Sequence, residues 1–211
     1  MSPTPHTLPI KHAHTGELAD AVPRSSHRRV NPLIAQTTAE SPLGKVLLAR
    51  TAHGLAGLWF VSEQKDAPAK LDAPRQDHDP LLQDVLAQLN AYWRHPTGQD
   101  HHFDVPLDAH GSPFQEAVWN ALLRIPHGST CSYGAIASEL GLPQASRAVG
   151  AAVGRNPVSI IIPCHRVIGR SAELTGYSGG MHRKIELLVR EGHSVVGQRL
   201  VRPFQPQPQL L

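Results

Sequence analysis

The sequence predicts a two-domain α/β protein, and three patterns support that class. Two strand-like runs and one amphipathic helix lie in the first half of the chain, whereas closely spaced helical patterns fill the second half. Tails rich in His, Pro or Gln flank both halves. We therefore predict a disordered tail over residues 1–30, a sheet and helix domain over 31–108, a mostly helical domain over 109–195 and a flexible tail over 196–211.

The first domain is predicted from two apolar runs at residues 45–50 and 55–61, which a turn at His53 and Gly54 joins. Residues 80–93 then show helical spacing, and one face of this helix collects Leu81, Leu82, Val85, Leu86 and Leu89. A loop rich in Pro and Gly follows, and the domain boundary is expected near residues 105–111.

A well-marked helix opens the second domain. Ser112 is suited to cap it, Pro113 fits the first helical position, and Gln115 completes an S-x-x-Q capping box. The apolar residues that recur at helical spacing, and form the expected buried stripe, are Phe114, Ala117, Val118, Ala121, Leu122 and Ile125.

Two shorter helices complete a helix-turn-helix pattern. Ser132 is expected to cap a helix that Gly141 ends, and the Leu142-Pro143 pair connects it to a helix over about residues 144–154. Two short helices across a turn containing Gly are typical of this motif.

The second of these helices has an unusually smooth outer face. Its expected core stripe is Ala145, Ala148, Val149, Ala152 and Val153, which leaves Arg147, Gly150, Ala151 and Gly154 on the opposite side. A smooth helix with one long cation suits a narrow DNA groove. The alternative is a small-residue face that packs on the neighbouring domain.

Cys164 is the leading candidate for chemistry. It ends an apolar, strand-like run over residues 159–163, and His165 follows it directly. A thiol reacts as thiolate, which a neighbouring base promotes. An inert buried cysteine and a cysteine protease or amidase are alternatives, but a groove-binding helix near a thiol favours chemistry on a nucleobase flipped out of a duplex.

Composition narrows the class further. The chain has 211 residues, 40% of them apolar, and a net charge of +3. No stretch approaches the roughly 20 apolar residues of a membrane span, and the start lacks the apolar core of a secretory signal. Two cysteines and scattered histidines argue against a disulfide framework or a zinc cluster. We expect a cytoplasmic protein without a metal or cofactor.

Six motifs together resemble the O6-alkylguanine-DNA alkyltransferases, also called methylated-DNA–protein-cysteine methyltransferases. They are GSPFQ at 111–115, SY at 132–133, SRAVG at 146–150, RNP at 155–157, IPCHRV at 162–167 and TGYSGG at 175–180. The resemblance is strong over residues 111–192 and weak before 111. It implies a ribonuclease H-like first domain and a DNA-binding alkyltransferase domain with the helix-turn-helix.

The resemblance implies a role for each matching residue. Cys164 resembles the alkyl acceptor, His165 the base that acts through a water, and Glu191 the carboxylate that orients the imidazole. Asn156 is similar to the residue that holds the active-site turn, and Tyr133 to the donor to the leaving base. The residues that match DNA and base contacts are Arg147, which fills the gap in the stack, Ser146, Ala148, Gly150, Ala151, Arg155, Val167, Tyr177 and Ser178.

The implied activity is single-turnover repair. The alkyl group of O6-alkylguanine, and of O4-alkylthymine, in double-stranded DNA would pass to Cys164 and remain there as a thioether, since no second cysteine or cofactor is evident to remove it. We expect a monomer, associated with the nucleoid if the source is bacterial. The alternatives to be tested are a non-catalytic lesion-binding protein and a cysteine hydrolase. Relatives with zinc carry cysteines that this chain lacks before Cys131.

Overall fold

A three-stranded antiparallel sheet forms the first part of the fold. The computed structural model describes residues 31–95, 97 and 100–201, so the predicted tail over 1–30 lies outside the described residues. The strands β1 (Ala35–Ala39), β2 (Val46–Arg50) and β3 (Leu55–Phe60) lie in the order β1-β2-β3. The predictions for β2 and β3 are confirmed. Sequence reasoning missed β1, because its residues AQTTA bury only Ala35 and Thr37 and show little apolar periodicity.

Helix α1 (Pro80–Arg94) forms where the apolar spacing predicts a helix, and it contacts β1 and β2. Asp79 caps it by accepting a hydrogen bond from the Leu82 N–H at 3.1 Å, and Pro80 occupies the first turn. Its buried residues are Leu82, Val85, Leu89 and Tyr92. After α1, residues 106–108 bond to the backbone of Leu55, so this connection lies along the edge of β3.

Helix α2 (Pro113–Leu123) has the predicted capping box, with Ser112 and Gln115 each bonded to the other's backbone N–H. The buried stripe includes Val118, Ala121 and Leu122, as expected. Trp119 is also buried, and its indole Nε1 donates to the Ala152 carbonyl oxygen at 3.0 Å. That bond fixes α2 against the helix that carries Ala152.

The helix-turn-helix consists of α3 (Tyr133–Glu139) and α4 (Ser146–Val153), and Ser132 caps α3 as predicted. The turn spans residues 140–145 and contains Gly141 at φ +72°. Helix α4 starts later than predicted because the turn extends to Ala145, whose N–H donates a hydrogen bond to the Leu142 carbonyl oxygen. Val149, Ala152 and Val153 are buried, but Ala148 is exposed, so its placement in the core stripe was wrong.

The apolar run before Cys164 is a turn, and the predicted strand there is wrong. The Ile161 N–H bonds to the Ser159 carbonyl oxygen, and the Ile162 N–H bonds to the Val158 carbonyl oxygen. Ile160 has φ +71°, which no strand allows. A 3₁₀ turn over Cys164–Arg166 follows, and then β5 (Val167–Ile168) pairs in parallel with β4 (Cys131–Ser132).

The fold ends with α5 (Met181–Arg190) and a hairpin of β6 (Val195–Val196) and β7 (Arg199–Leu200). The predicted flexible tail over 196–211 therefore starts too early, because Leu200 packs near the buried Ile168, Leu174 and Leu188. Residues 202–211 lie outside the described residues. Among the described helices, none combines the length and the apolar character that a membrane crossing requires.

Candidate active site

The side chain of Asn156 organises the turn that carries Cys164. Its Nδ2 donates to the Ile162 carbonyl oxygen at 2.8 Å and to the Cys164 sulfur at 3.0 Å, while its Oδ1 accepts the Val158 N–H at 3.0 Å. Asn156 is 1% exposed. One buried amide thus satisfies the turn and sets the position of the thiol.

Cys164 is buried and rests as a neutral thiol. Burial is the main cause that raises its pKa, and the hydrogen bond from Asn156 and the charge of Lys184 oppose this only in part. For such a thiol to react as a nucleophile, a base must first take its proton.

His165, the next residue in the chain, carries the imidazole that is the candidate for that base. Its Nε2 lies 2.9 Å from Oε1 of Glu191, and both side chains are fully buried. Burial lowers the pKa of His165 despite the opposing charge of Glu191, which keeps the imidazole neutral. A neutral ring that donates from Nε2 to a carboxylate carries its lone pair on Nδ1, so Nδ1 is the ring nitrogen that can accept a proton. This atom has no hydrogen-bond partner among the described residues.

Arg166 binds the same carboxylate, which sequence reasoning did not anticipate. Its Nε donates to Glu191 Oε2 at 2.8 Å and its Nη2 to Oε1 at 2.9 Å, while Nη1 donates to the Ile125 carbonyl oxygen at 2.6 Å. Burial acts to raise the pKa of Glu191, but His165 and Arg166 outweigh it and hold this pKa well below its usual range. Glu191 is therefore an anion at every physiological pH.

Lys184 is the second buried cation that sequence reasoning missed. Its Nζ donates to the carbonyl oxygens of Val167, at 2.5 Å, and Thr175, at 2.9 Å. Burial lowers the pKa of Lys184 to about 8. The sequence signal for it was a lysine on the apolar face of α5, one turn before Leu187 and Leu188.

A cavity of about 360 Å³ opens beside the thiol. Its wall contains Cys164 together with Tyr133, Gly150, Tyr177 and Ser178, which the sequence places up to 45 residues apart. The remaining lining residues are Lys65, Asp66, Val153, Gly154 and Gly176. A larger open depression of about 790 Å³ beside β1 contains no cysteine or histidine in its lining. Of these two cavities, the smaller is the one that a thiol lines.

Tyr133 of α3 and Gly150 of α4 are the residues that the helix-turn-helix contributes to the cavity wall together with Val153. The Tyr133 hydroxyl accepts a hydrogen bond from Thr175 Oγ1 at 3.2 Å, and burial raises the pKa of Tyr133, so it stays protonated. A methyl group on Gly150 would lie 3.7 Å from the Tyr133 ring, which is ordinary contact. Packing within the chain therefore does not require Gly150 to be glycine.

Comparison with known proteins decides the family. Residues 34–109 match the model of the "6-O-methylguanine DNA methyltransferase, ribonuclease-like domain", and residues 113–193 match that of the "6-O-methylguanine DNA methyltransferase, DNA binding domain". A methylated-DNA--protein-cysteine methyltransferase of Mycobacterium tuberculosis is 45% identical over 163 residues, covering 75% of this chain and 93% of that protein. A Methanosarcina acetivorans protein of the same name is 44% identical and covers 72% and 95%.

This chain belongs to the 6-O-methylguanine DNA methyltransferase family. The crystal structure of Mycobacterium tuberculosis OGT in complex with DNA has a TM-score of 0.65 and 44% identity, covering 75% of this chain and 92% of that one. The predicted family and the two-domain α/β fold class are both confirmed.

The residues that were predicted from the family resemblance divide into three groups in this methyltransferase fold. Tyr133, Gly150, Cys164, Tyr177 and Ser178 line the cavity. Asn156, His165, Val167 and Glu191 are buried. Arg147, Ala148, Ala151 and Arg155 are exposed on or just after α4, and Ser146 is half-buried at its start.

Sequence reasoning missed Lys65 and Asp66, because nothing local connects the loop after β3 to the other lining residues, which lie between positions 133 and 178. The loop reaches the cavity through the fold: the Lys65 N–H donates to the Ser178 carbonyl oxygen at 3.2 Å. Arg166 could have been selected from the sequence as a candidate site residue, since it follows His165 directly inside the IPCHRV motif.

Proposed function

We propose that this chain repairs alkylated DNA by irreversible transfer of the alkyl group from O6-alkylguanine, and from O4-alkylthymine, to Cys164. The observation that carries the proposal is the Cys164 thiol on the wall of a cavity. The Asn156 amide donates to its sulfur, and the next residue, His165, is buried and bonded to Glu191. The names of the similar proteins, methylated-DNA--protein-cysteine methyltransferases, support the same reaction.

The proposed reaction is an in-line displacement. His165 Nδ1 takes the thiol proton through a bridging water, while Nε2 stays bonded to Glu191. The sulfur anion attacks the alkyl carbon, so that an S–C bond forms as the C–O6 bond breaks and its electron pair moves to O6. Tyr133 and Ser178 donate hydrogen bonds to the leaving guanine, which stabilises the charge that develops on it.

Each molecule would act once. The product is a thioether, which water does not cleave as it cleaves a thioester. Among the residues that line the described cavity, Cys164 is the single thiol, so no neighbouring sulfur is placed to remove the group. The protein would be both catalyst and final acceptor.

Helix α4 is the proposed contact with double-stranded DNA. Arg147, Ala148 and Ala151 present an exposed face with one long cation. Gly150 in the same helix and Gly154 directly after it border the cavity. No side chain caps the first turn of α4, which leaves N–H groups available to a phosphate. A base that rotates out of the minor groove would thus pass Gly150 on its way to Cys164, and Arg147 would fill the gap.

The same proposal places the remaining predicted elements. Residues 31–108 would support the cavity and contribute Lys65 and Asp66 to its wall, and residues 109–195 would bind DNA. Ser146 and Arg155, at the two ends of α4, would contact the DNA backbone, and the carbonyl of Val167 would face the base. The protein would act as a monomer at chromosomal DNA, in the cytoplasm.

The test is the intact mass of the protein before and after incubation with a duplex that contains O6-methylguanine. We expect a gain of one methylene mass, confined to Cys164 and absent in Cys164→Ala, with repair that stops near one equivalent. A protein that binds the lesion without a mass change would be the non-catalytic alternative. Repeated turnover would identify a hydrolase.

A further inference from the structure

Arg183, in the first turn of α5, is a buried arginine that the proposed reaction does not use. It is 3% exposed, and its charged group lies over the Phe60 ring, 4.5 Å from the ring centroid. A buried guanidinium keeps its charge, so its N–H groups must be bonded for the burial to be stable. The partners of Arg183 therefore show what this residue holds together.

Arg183 connects three segments that are distant in the sequence. Its Nε donates to the Leu43 carbonyl oxygen at 2.8 Å, in the turn before β2, and its Nη2 donates to the Ser62 hydroxyl at 3.2 Å. Its Nη1 donates to the carbonyl oxygens of Ser62, at 3.1 Å, and Gly179, at 2.6 Å. These bonds use four of the five N–H groups of the guanidinium. One side chain thus joins the loop after β3 to the TGYSGG segment.

The two segments that Arg183 Nη1 bridges both contribute to the wall of the cavity beside Cys164. The Lys65 N–H donates to the Ser178 carbonyl oxygen at 3.2 Å, so this backbone bond and the Arg183 bridge are two links between the same segments. The residues of these segments that line the cavity are Lys65, Asp66, Gly176, Tyr177 and Ser178. Arg183 itself does not line the cavity, so it acts on it only through the segments that it binds.

Gly179 connects the Arg183 bonds to the cavity wall. A methyl group on Gly179 would lie 2.8 Å from the Tyr177 ring and 3.2 Å from the Phe60 ring, so the backbone there packs directly on both rings. The helix-turn-helix supplies other lining residues, which are Tyr133, Gly150 and Val153. The width of the cavity therefore depends on where the Arg183 bonds hold Gly179.

We propose that Arg183 is a positioning residue that limits the size of the alkyl group that reaches Cys164, because it holds the loop after β3 and the TGYSGG segment together as one rigid part of the cavity wall. A wall that is held in place excludes substituents that are too large, whereas a wall that can shift admits them. The inference rests on the proposed function only for the identity of the substituent, the group on O6 of guanine. The width of the cavity is a property of the folded protein and can be measured without DNA.

The experiment compares two thiol reagents that differ in size but carry the same reactive group. Iodoacetamide and N-benzyliodoacetamide both alkylate a thiolate with loss of iodide, and peptide mass separates modification of Cys164 from that of Cys131. The measured quantity is the ratio of the rates of the large and the small reagent at Cys164 in the full chain. A change in thiol ionisation cancels in this ratio, because both reagents react with the same anion. Protein unfolded in urea gives the ratio for a fully accessible thiol.

Two variants change Arg183, and a third is the matched control. Arg183→Met removes the guanidinium and keeps a long side chain. Arg183→Lys keeps the charge, but a single ammonium nitrogen cannot reproduce the fork that reaches all three segments, and this milder change still tests the inference if Arg183→Met does not fold. The control is Arg190→Met, because Arg190 lies in the same helix, donates to the Trp93 carbonyl oxygen at 2.8 Å and lies 5.3 Å from the Trp93 ring centroid, but does not line the cavity. All rates are measured well below the thermal unfolding midpoint of each variant.

We expect Arg183→Met to raise the ratio of the large to the small reagent about five- to tenfold, and Arg183→Lys to raise it about two- to threefold. Arg190→Met should keep the wild-type ratio. A folded Arg183 variant with an unchanged ratio overturns the inference, as does an equal rise of the ratio in Arg190→Met.

Transfer from DNA supplies a second readout. In single turnovers, Arg183→Met should slow transfer from O6-methylguanine and raise the rate for O6-benzylguanine relative to it by about five- to tenfold. Equal losses on both bases would show that Arg183 acts only through stability, which overturns the inference. If the wild-type protein transfers neither group, the proposed function fails, and the ratio of the two reagents still decides the role of Arg183.

Discussion

Replacing Glu191 with Gln tests the buried site most directly. The carboxylate accepts hydrogen bonds from His165 at 2.9 Å and from two nitrogens of Arg166 at 2.8 Å and 2.9 Å. Glutamine keeps the size of the side chain and removes its charge. Arg166 then carries a buried charge without a counterion. In the proposed reaction, the imidazolium that would form when His165 takes the thiol proton would also lose its stabilising neighbour.

Glu191→Gln should reduce both the folding free energy and the rate of methyl transfer, and the size of each effect can be stated. Removing one partner of a buried ion pair typically costs about 3–5 kcal/mol of folding free energy. General-base catalysis contributes about 10²–10⁴-fold to rates. Because the imidazole of His165 stays in the site, we expect the lower end of that range, which is about a 10²-fold slower transfer, or roughly 3 kcal/mol in the barrier.

A double variant separates the two effects. Arg166→Met combined with Glu191→Gln removes the unpaired cation, so the free energy of unfolding in urea should recover most of the loss. Transfer should remain about 10²-fold slow, since the carboxylate is still absent. The rate is measured in a single turnover with protein in excess over an O6-methylguanine duplex. DNA affinity, measured in a Cys164→Ala background, should be unchanged by Glu191→Gln.

The result that refutes this reasoning is a double variant that transfers methyl groups at the wild-type rate. Glu191 would then act only by balancing the charge of Arg166. A loss of rate in Glu191→Gln that merely follows the fraction of unfolded protein would lead to the same conclusion.

Three further predictions use the same assays. Asn156→Ala should lower the free energy of unfolding by about 2–4 kcal/mol and slow transfer, because it leaves buried groups of the turn unpaired, whereas the exposed Asn120→Ala should change neither. Arg147→Ala should slow transfer from duplex DNA about tenfold but leave transfer from free O6-benzylguanine unchanged. Arg94→Ala, at another exposed arginine, is the charge-matched control. An equal loss of rate on the free base would contradict a role of Arg147 in DNA binding. Burial lowers the pKa of Lys184 from 10.5 to about 8, so the unfolded chain binds more protons between these pH values. In a Cys164→Ala background, the free energy of urea unfolding should therefore rise with pH in this window by up to about 3 kcal/mol relative to Lys184→Met, and a flat difference would be the contrary result.

Local features of the fold were predictable because neighbouring residues determine them. The capping box of Ser112 and Gln115 and the cap of Ser132 each involve residues within one helical turn. The strands β2 and β3 follow from apolar residues on both sides of a short turn. The helix-turn-helix was recognised in the same way, although the start of α4 was placed two residues too early.

The errors arose where tertiary contacts outweigh local preference. Residues 159–163 are rich in β-branched isoleucine and suggest a strand, but the Asn156 amide accepts and donates the hydrogen bonds that make this segment a turn. Likewise, β1 has a weak apolar pattern and is a strand because β2 pairs with it. The segment that ends at Leu200 was predicted to be part of a tail from its composition, but Leu200 packs against a buried cluster.

For the site, the sequence by itself determined which groups are present: the Cys164 thiol, the adjacent His165 and the motifs around them. Only the tertiary structure decided which atoms meet. In the folded chain, Arg166 donates a hydrogen bond to Glu191, which is 25 residues away, and Ser159 donates one to Gln64, which is 95 residues away. The reason is physical, since periodicity and capping encode contacts within a turn or a strand, whereas pairing between distant segments depends on how complete elements pack, and no single element encodes that.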